Sequence, residues 1–392
     1  MGSGPRVVIV GGSLGGLMAA QALRSAGCDV VVLERNAAPL QGRGAGISLR
    51  PVMIDLLQRQ GEISLDDFCT RTARSRYFGR DGQVSGEAQH AALFTSWDTL
   101  HQRLLAEIPV QAYRLGAEVA GVETGPDQAR VRLADGSAMD GDLAVFADGT
   151  FSSGRRLLSP GDEPVYAGYV CWRGLVPEAV MDAALRAQLD DATNIALLEP
   201  GYFGAYPIPG PDGSVAPGER LFNWVWYRNV AEGAALTDLM TDTSGRYRFS
   251  SVPPGKVRTE FIAELRKAAE ALPPALRALV RATERPFIQT ICDVEVPRMA
   301  FGRACLIGDA AFGGRPHLGA GTAKAAQDAF TLADALDAEA GDVTKALAAW
   351  EPTRLEVGRA FVADNRRLGE QFQFSEGAPP LISLRPGWAG RP

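Results

Sequence analysis

The sequence predicts an α/β protein: an open parallel-sheet domain interrupted by an inserted β-sheet unit and followed by C-terminal helices. Three observations carry this expectation. The β-branched run Arg6 to Val10, the helical spacing from Ser13 to Ala26 and the return of strand composition from Asp29 to Leu33 make a βαβ unit. Strand character of the same kind comes back far down the chain at Ala304 to Gly308, again with a helix behind it. Between the two, Tyr166 to Val296 holds most of the Trp and Tyr in strand-like runs, YVCWRGL, FGAYPIP and LFNWVWY, so that this segment is inserted into the parallel-sheet domain.

Gly42 to Gly46 form a Gly-rich loop behind the βαβ unit, and helices are expected over Val52 to Gln60 and Thr99 to Glu107. Glu118 to Val145 reads as an antiparallel meander, because its short runs are separated by the turn signals Thr124-Gly125-Pro126-Asp127 and Asp135-Gly136. The inserted segment contains a helical stretch, Val257 to Ala271. Val343 to Gln373 reads as helix, and the Pro/Gly-rich tail after Ser375 as irregular. No internal repeat is present.

Composition narrows the function. With 392 residues, 46% of them hydrophobic, the chain can bury a substantial core. A net charge of −6 and the lack of any long Lys/Arg run speak against a nucleic-acid partner and for a small molecule. The five cysteines are scattered singly, with no CxxC spacing, which argues against a disulfide framework and against a zinc site; reduced thiols in cytoplasm and no metal are expected. The opening residues run straight into a strand and no apolar stretch approaches ~18 residues, so neither secretion nor membrane spanning is expected.

Three blocks carry chemistry. In VVIVGGSLGGL, positions 7 to 17, a tight strand-to-helix turn brings backbone N–H groups and a positive helix end to a pyrophosphate, and small residues permit the approach. Gly11 and Gly16 hold the first and third glycine positions of a Rossmann-type turn and Ser13 the second. Glu34, at the end of the next strand, is placed to accept the ribose hydroxyls of an adenosine. In FADGTFSSGRRL, positions 146 to 157, an Asp-Gly pair leaves a strand; alone, such a pair is more often a plain turn. In CLIGDAAFGGRPHLGAGTAKAAQDA, positions 305 to 329, a strand delivers Asp309 to its carboxyl end, where it can accept from a ribityl hydroxyl. Gly319 and Gly321 then open a helix whose N-terminus would face the N1–C2=O edge of an isoalloxazine and stabilise reduced, anionic flavin.

In this order and at these separations, the blocks resemble the FAD-binding, DG and GD motifs of the single-component flavoprotein aromatic hydroxylases, the para-hydroxybenzoate hydroxylase-like family. GGSLGGL, YAGYVCWRG, YPIPG and NWVWYRNVAEG are most similar to its dihydroxypyridine-hydroxylating members, over nearly the whole chain. The resemblance implies an FAD-dependent monooxygenase that spends NADH or NADPH and O2 to hydroxylate a small electron-rich (hetero)aromatic ring through a flavin C4a-hydroperoxide, in a homodimer. It implies an FAD-binding domain over 1–72, 98–163 and 294–345, a substrate domain over 73–97 and 164–293, and a C-terminal helical segment and tail over 346–392. Salicylate- and urate-type hydroxylases and tailoring oxygenases share the three blocks. A non-catalytic FAD-binding sensor is the reading from another class.

Expected cofactor contacts are Gly11, Gly12, Ser13, Leu14 and Gly16 at the pyrophosphate, Glu34 and Arg35 at the ribose, and Gly44, Ala45 and Gly46 beside the flavin. Asp148 is expected to serve flavin and nicotinamide, Asp309 the ribityl chain, and Gly319, Ala320, Gly321 and Thr322 the ring edge. His317 is the catalytic candidate, in the loop between Asp309 and the flavin-facing helix. Tyr206, Tyr227, Arg173 and Pro316 are candidates for the substrate, although core packing is the default for aromatic residues in alternating strands such as Tyr206, Trp224, Trp226 and Tyr227. His101 is expected on an exposed helix surface, Lys324 on a solvated helix face, and His90 away from the pocket. Two positions depart from the family: Trp97 stands where an Arg often precedes the helix, with Arg103 as a substitute, and Phe312 replaces the usual His after GDAA.

Overall fold

The computed structural model describes residues 4–42, 46–59, 64–79 and 81–375, and Gly44 and Ala45 lie outside them. Among these residues, strands Arg6–Val10, Asp29–Glu34, Tyr113–Leu115, Leu143–Phe146 and Ala304–Leu306 form a parallel sheet, with Ala300–Phe301 antiparallel at its edge. Arg6–Val10 lies between Leu143–Phe146 and Asp29–Glu34. Val7, Ile9, Val145, Phe146 and Leu306 are all 0% exposed, which is why these strands read as unbroken apolar runs: both faces are covered.

Helices Leu14–Ser25 and Gly321–Ala338 pack together over this sheet. The meander expected over Glu118 to Val145 ends at Gly141. Val119–Thr124, Ala129–Leu133 and Ala138–Gly141 form a three-stranded antiparallel sheet with alternating burial, whereas the following Leu143–Phe146 is buried at every position and enters the parallel sheet. Burial on both faces, rather than turn spacing, separates the two roles.

The second large sheet has ten strands. Along its path run Ser251–Val252, Phe287–Glu295, Val165–Pro177, Leu221–Asn229, Tyr202–Ile208, Ala192–Leu197, Thr70–Phe78, Val84–Ser96 and Gly46–Leu49, and Phe312–Gly313 pairs with Phe287–Glu295. Gly46–Leu49 thus belongs to this sheet, ahead of the boundary expected at residue 73. Strict alternation gives the sheet two unlike faces. Val170, Trp172, Phe203, Phe222, Trp224, Trp226 and Ile288 form one hydrophobic cluster with the helices Thr259–Ala268 and Pro274–Ala282, and Trp224 Nε1 donates to Thr283 Oγ1 at 2.8 Å. Tyr169, Cys171, Tyr227 and Ile291 form a separate cluster on the opposite face, with Tyr202 and Val225 against it.

The 31-residue helix Val343–Gln373 bolts the sheets together. Near its start, Trp350 Nε1 donates to Asp328 O at 3.2 Å and Arg354 Nη2 pairs with Asp328 at 2.6 Å. Farther along, Arg366 reaches Asp293 of the second sheet at 3.0 Å, and Phe372 O accepts from Gly201 N at 2.7 Å. All five cysteines are buried and free. Among the described residues no helix is long and apolar enough to cross a membrane.

Asp328 is fully buried between Lys324 and Arg354. Asp328→Leu leaves two buried cations without a counter-charge and is expected to cost about 3–5 kcal/mol of stability in urea unfolding. Arg366→Ala, at a half-exposed end of its pair, is expected to cost about 1 kcal/mol or less.

Candidate functional site

A cleft of about 400 Å³ opens at the carboxyl ends of the parallel strands, and Gly11, Glu34, Asp148, Asp309 and Thr322 all line it. Its floor is the turn after the first strand. Gly11 has φ +110°, and a Cβ there would lie 2.6 Å from Ala147 O; a Cβ on Gly16 would lie 1.8 Å from Gly11 O. Only residues without side chains let the helix Leu14–Ser25 start this close to the strand. Ser13, its N-cap, makes no side-chain cap hydrogen bond, so the first N–H groups of the helix are left to an anion.

Glu34 is buried and braces this turn: Oε2 accepts from Gly12 N at 2.9 Å, and Oε1 from Asn36 N at 2.9 Å and from Asn36 Nδ2. A carboxylate offers about four acceptor sites, so one remains for a ribose hydroxyl. Gly12 O is held in turn by Tyr113 Oη at 3.0 Å and His101 Nε2 at 3.0 Å. His101 is therefore not an exposed helix residue: it is 2% exposed and stacked on Trp97 at 4.6 Å, because its helix packs against Leu14–Ser25. Trp97, in the place of the family's Arg, lines the cleft. Arg103 does not substitute for that Arg, since its guanidinium lies over the Phe68 ring at 4.3 Å. Among the described residues the cations on the cleft wall are Arg35 and Arg156, the second of which sequence reasoning missed; the Arg155-Arg156 pair was the available signal.

The two distant blocks meet through Arg155, which is 0% exposed. It donates to Asp162 O at 2.7 Å, to Thr150 O, and to Ala310 O at 3.0 Å inside the GD block. The Asp148 carboxylate accepts from Ser153 N at 2.6 Å, Ser153 Oγ at 2.7 Å and Gly154 N at 3.2 Å, which fixes the Asp-Gly turn at the cleft mouth. Burial raises the Asp309 carboxyl, opposed by the charge of Lys324. Lys324 is not on a solvated face: it is 0% exposed, and Nζ donates to Gly308 O at 2.8 Å and Phe312 O at 3.1 Å while pairing with Asp328 at 3.0 Å. The face of the helix that carries 324 and 328 turns inward, toward Gly308. Phe312 is core, packed against Gly358.

From Asp309 the chain passes through Pro316–Leu318 to Gly319, φ +58°, and Ala320, the N-cap of the helix that begins at Gly321. Gly321 and Thr322 line the cleft. Arg50 Nη2 donates to Leu318 O at 2.7 Å and Asn365 Oδ1 accepts from Leu318 N at 3.2 Å, so the loop is pinned on both sides. It carries His317 onto the tyrosine face of the second sheet, while Pro316 is exposed. The imidazole lies 5.0–5.8 Å from the rings of Tyr169, Tyr202, Tyr227 and Phe372. Nε2 is 2.6 Å from Tyr169 Oη, and Nδ1 3.4 Å from Tyr202 Oη. Burial, with Arg315 adding to it, pushes the imidazole down to about 3, and burial raises all three tyrosines above their ordinary range. The group is thus uncharged near neutral pH.

The structure brings Tyr206, Tyr227 and Arg173 to this same face and turns Trp224 and Trp226 to the other. Tyr206 stacks on Phe94 at 4.0 Å, and Gly46 sits so close that a Cβ would be 2.6 Å from the Tyr206 ring. His90 Nδ1 is 3.1 Å from Ser75 Oγ on the neighbouring strand. Among the described residues no group of His, Cys, Asp and Glu could hold a metal ion.

A family model described as an FAD binding domain matches residues 5–156, and one described as FAD binding domain-like matches 166–293. The chain is 35% identical to 2,6-dihydroxypyridine 3-monooxygenase from Paenarthrobacter nicotinovorans, over 94% of this chain and 91% of that protein. The solved 2,6-dihydroxypyridine-3-hydroxylase from Arthrobacter nicotinovorans superposes with a TM-score of 0.91 at 34% identity, covering 99% of this chain and 98% of the other. Klebsiella pneumoniae HpxO, solved with FAD and uric acid, shares the fold with a TM-score of 0.78 at 22% identity, covering 97% and 90%.

The glycine cradle, the free helix N-terminus and the buried carboxylates fit FAD. Gly11→Val is expected to strain the turn by about 1–3 kcal/mol and weaken FAD retention roughly 10- to 100-fold, read as loss of yellow colour on gel filtration. The cleft, the two family models and the near full-length relative agree: the chain belongs to the flavoprotein aromatic hydroxylases, FAD-dependent monooxygenases that take their electrons from NAD(P)H.

Proposed function

We propose that the ring hydroxylated is a small, electron-rich heteroarene of the dihydroxypyridine kind, held between the turn at 316–321 and the tyrosine face of the second sheet. One observation carries this reading: the loop that leaves Asp309 at the flavin cleft also places His317 within hydrogen-bond reach of Tyr169, so one short segment joins the cofactor site to the aromatic cluster of the second sheet. The relative at 35% identity, named for 2,6-dihydroxypyridine, supports it. In this reading the ring-binding unit comprises 73–97 and 164–293, the FAD-binding unit 1–72, 98–163 and 294–345, and the protein works in the cytoplasm as a homodimer.

When bound, reduced FAD supplies the activated oxygen that an electron-rich ring carbon attacks. The protein's own residues do the rest. Tyr202, Tyr227 and Phe372 surround the loop with apolar surface that keeps water away from the reacting atoms. Neutral imidazole has one donor and one acceptor nitrogen. His317 therefore accepts from one tyrosine hydroxyl while it donates to the other, and can pass a ring proton from one side to the other without becoming charged itself.

FAD-loaded protein is expected to oxidise NADH or NADPH faster with 2,6-dihydroxypyridine than without it, and to yield a product heavier by one oxygen. The reading fails if neither occurs. His317→Gln is expected to lower kcat about 100-fold or more while FAD stays bound. His317 also gives a pH signature. Its unfolded-state value near 6.5 falls to about 3 in the native protein, so the unfolded chain takes up the proton first as pH drops. The stabilisation is complete above pH 6.5 and is lost progressively toward pH 3. Between pH 7.5 and 5, the wild type should therefore lose more in Tm than His317→Gln.

A further inference from the structure

The cleft that fits FAD is short of positive charge. Among the described residues its wall carries four carboxylates, Glu34, Glu118, Asp148 and Asp309, against two cations, Arg35 and Arg156. The diphosphate in the middle of FAD brings two further negative charges. The free N-terminus of Leu14–Ser25 offers roughly half a positive charge, so it leaves most of that anion unanswered. Glu34 and Asp148 are turned into their own walls, on Gly12 and Asn36 and on Ser153 and Gly154, which softens their charge without cancelling it.

Of the two cations, Arg156 stands on the wall that meets the glycine turn. It lies in the short helix Ser153–Leu158, three residues on from Ser153, so the two share a face, and both line the cleft. The chain just before that helix is packed on the turn: a Cβ on Gly11 would lie 2.6 Å from Ala147 O and 2.9 Å from Asp148 Cα. Arg156 is exposed; its Nη1 donates to Phe151 O at 3.0 Å, and among the described residues no ion pair occupies its guanidinium. Its neighbour Arg155 is directed instead at three carbonyls of the interior. Arg35 follows Glu34 at the end of the next strand, on the adenosine side of the turn. An anchored guanidinium with N–H groups to spare, beside a turn of bare backbone N–H groups, suits a fork onto two phosphate oxygens.

We propose that Arg156 clamps the FAD diphosphate against the glycine turn. The turn binds the anion through backbone N–H groups, and Arg156 answers its charge from the Asp-Gly wall, so the cofactor itself ties the first block to the second. Asp148 is then a positioning residue, because its carboxylate holds Ser153 and Gly154 at the start of the helix that carries Arg156. A clamp built on an exposed cation is open to screening, and FAD retention should weaken with salt. The clamp is independent of which ring is hydroxylated.

The test uses the full-length, FAD-loaded protein. Each form is diluted serially at low and at high salt, released FAD is measured by its fluorescence after ultrafiltration, and circular dichroism checks the fold. Arg156→Gln is expected to hold FAD roughly 10- to 100-fold more weakly at low salt, the span for one lost charge-assisted contact. High salt screens that contact in the wild type, so the gap between the two should narrow. Arg156→Lys keeps the charge without the fork and is expected to fall between them. Arg35→Gln removes the same charge on the adenosine side and is expected to weaken retention by about threefold at most. The proposal is overturned if folded Arg156→Gln holds FAD as the wild type does, if its deficit is equal at both salt levels, or if Arg35→Gln matches it. It is also overturned if Arg156→Gln keeps its FAD and only needs more NADH or NADPH, which would place Arg156 at the nicotinamide cofactor. Should Arg156→Gln fail to fold, the wild type and Arg156→Lys decide: FAD must leave both more readily at high salt, and retention indifferent to salt removes the clamp.

Discussion

The Asp328 carboxylate is the point on which the two halves of the site hang. It is fully buried; it accepts from Gly308 N at 2.9 Å and pairs with Lys324 and Arg354. Burial alone would raise this carboxyl, but the two cations override it and hold it below the ordinary range. Gly308 is the residue before Asp309, Lys324 lies in the helix that faces the cleft, and Arg354 in the long helix that reaches the second sheet. One buried anion thereby fixes the turn, the helix and the helix behind it in one geometry, and a buried charge tolerates few alternatives.

The second constraint is the unequal covering of the ten-stranded sheet. On the helix side, tryptophans fill space and Trp224 N–H is satisfied by Thr283. On the other side, tyrosines present hydroxyls to His317, and two donors are left unmatched. A folded protein seldom leaves buried polar groups unpaired, because each costs about 1–3 kcal/mol.

Departures from the common family pattern have local compensations. Trp97 stacks on His101, which with Tyr113 clamps Gly12 O, so the dinucleotide turn is stiffened where an Arg contact is missing. Phe312 fills core against Gly358, and the nearest imidazole along the chain, His317, lies in the next turn against Tyr169. The cationic side of the cleft is carried by Arg35 and Arg156.

The sequence by itself determined the parallel-sheet core, the flavin cleft and the class of chemistry, because these depend on local rules: a glycine turn between strand and helix, an acid at the next strand end, an Asp-Gly and a Gly-Asp pair. It did not separate Leu143–Phe146 from the meander before it, since turn spacing carries no information about two-sided burial. It misjudged His101 and Lys324, whose polar ends point inward because partners distant in sequence, Gly12 for one and Gly308 and Phe312 for the other, wait there. The i,i+4 spacing of Lys324 and Asp328 was visible but is equally at home on a wet surface. Tertiary structure alone decided which face of the aromatic strands meets His317 and which meets the helices, and so separated Tyr206, Tyr227, Arg173 and Asn223 from Trp224 and Trp226. Alternation states that two faces exist; only the packing of helices on one of them states which side chains become core.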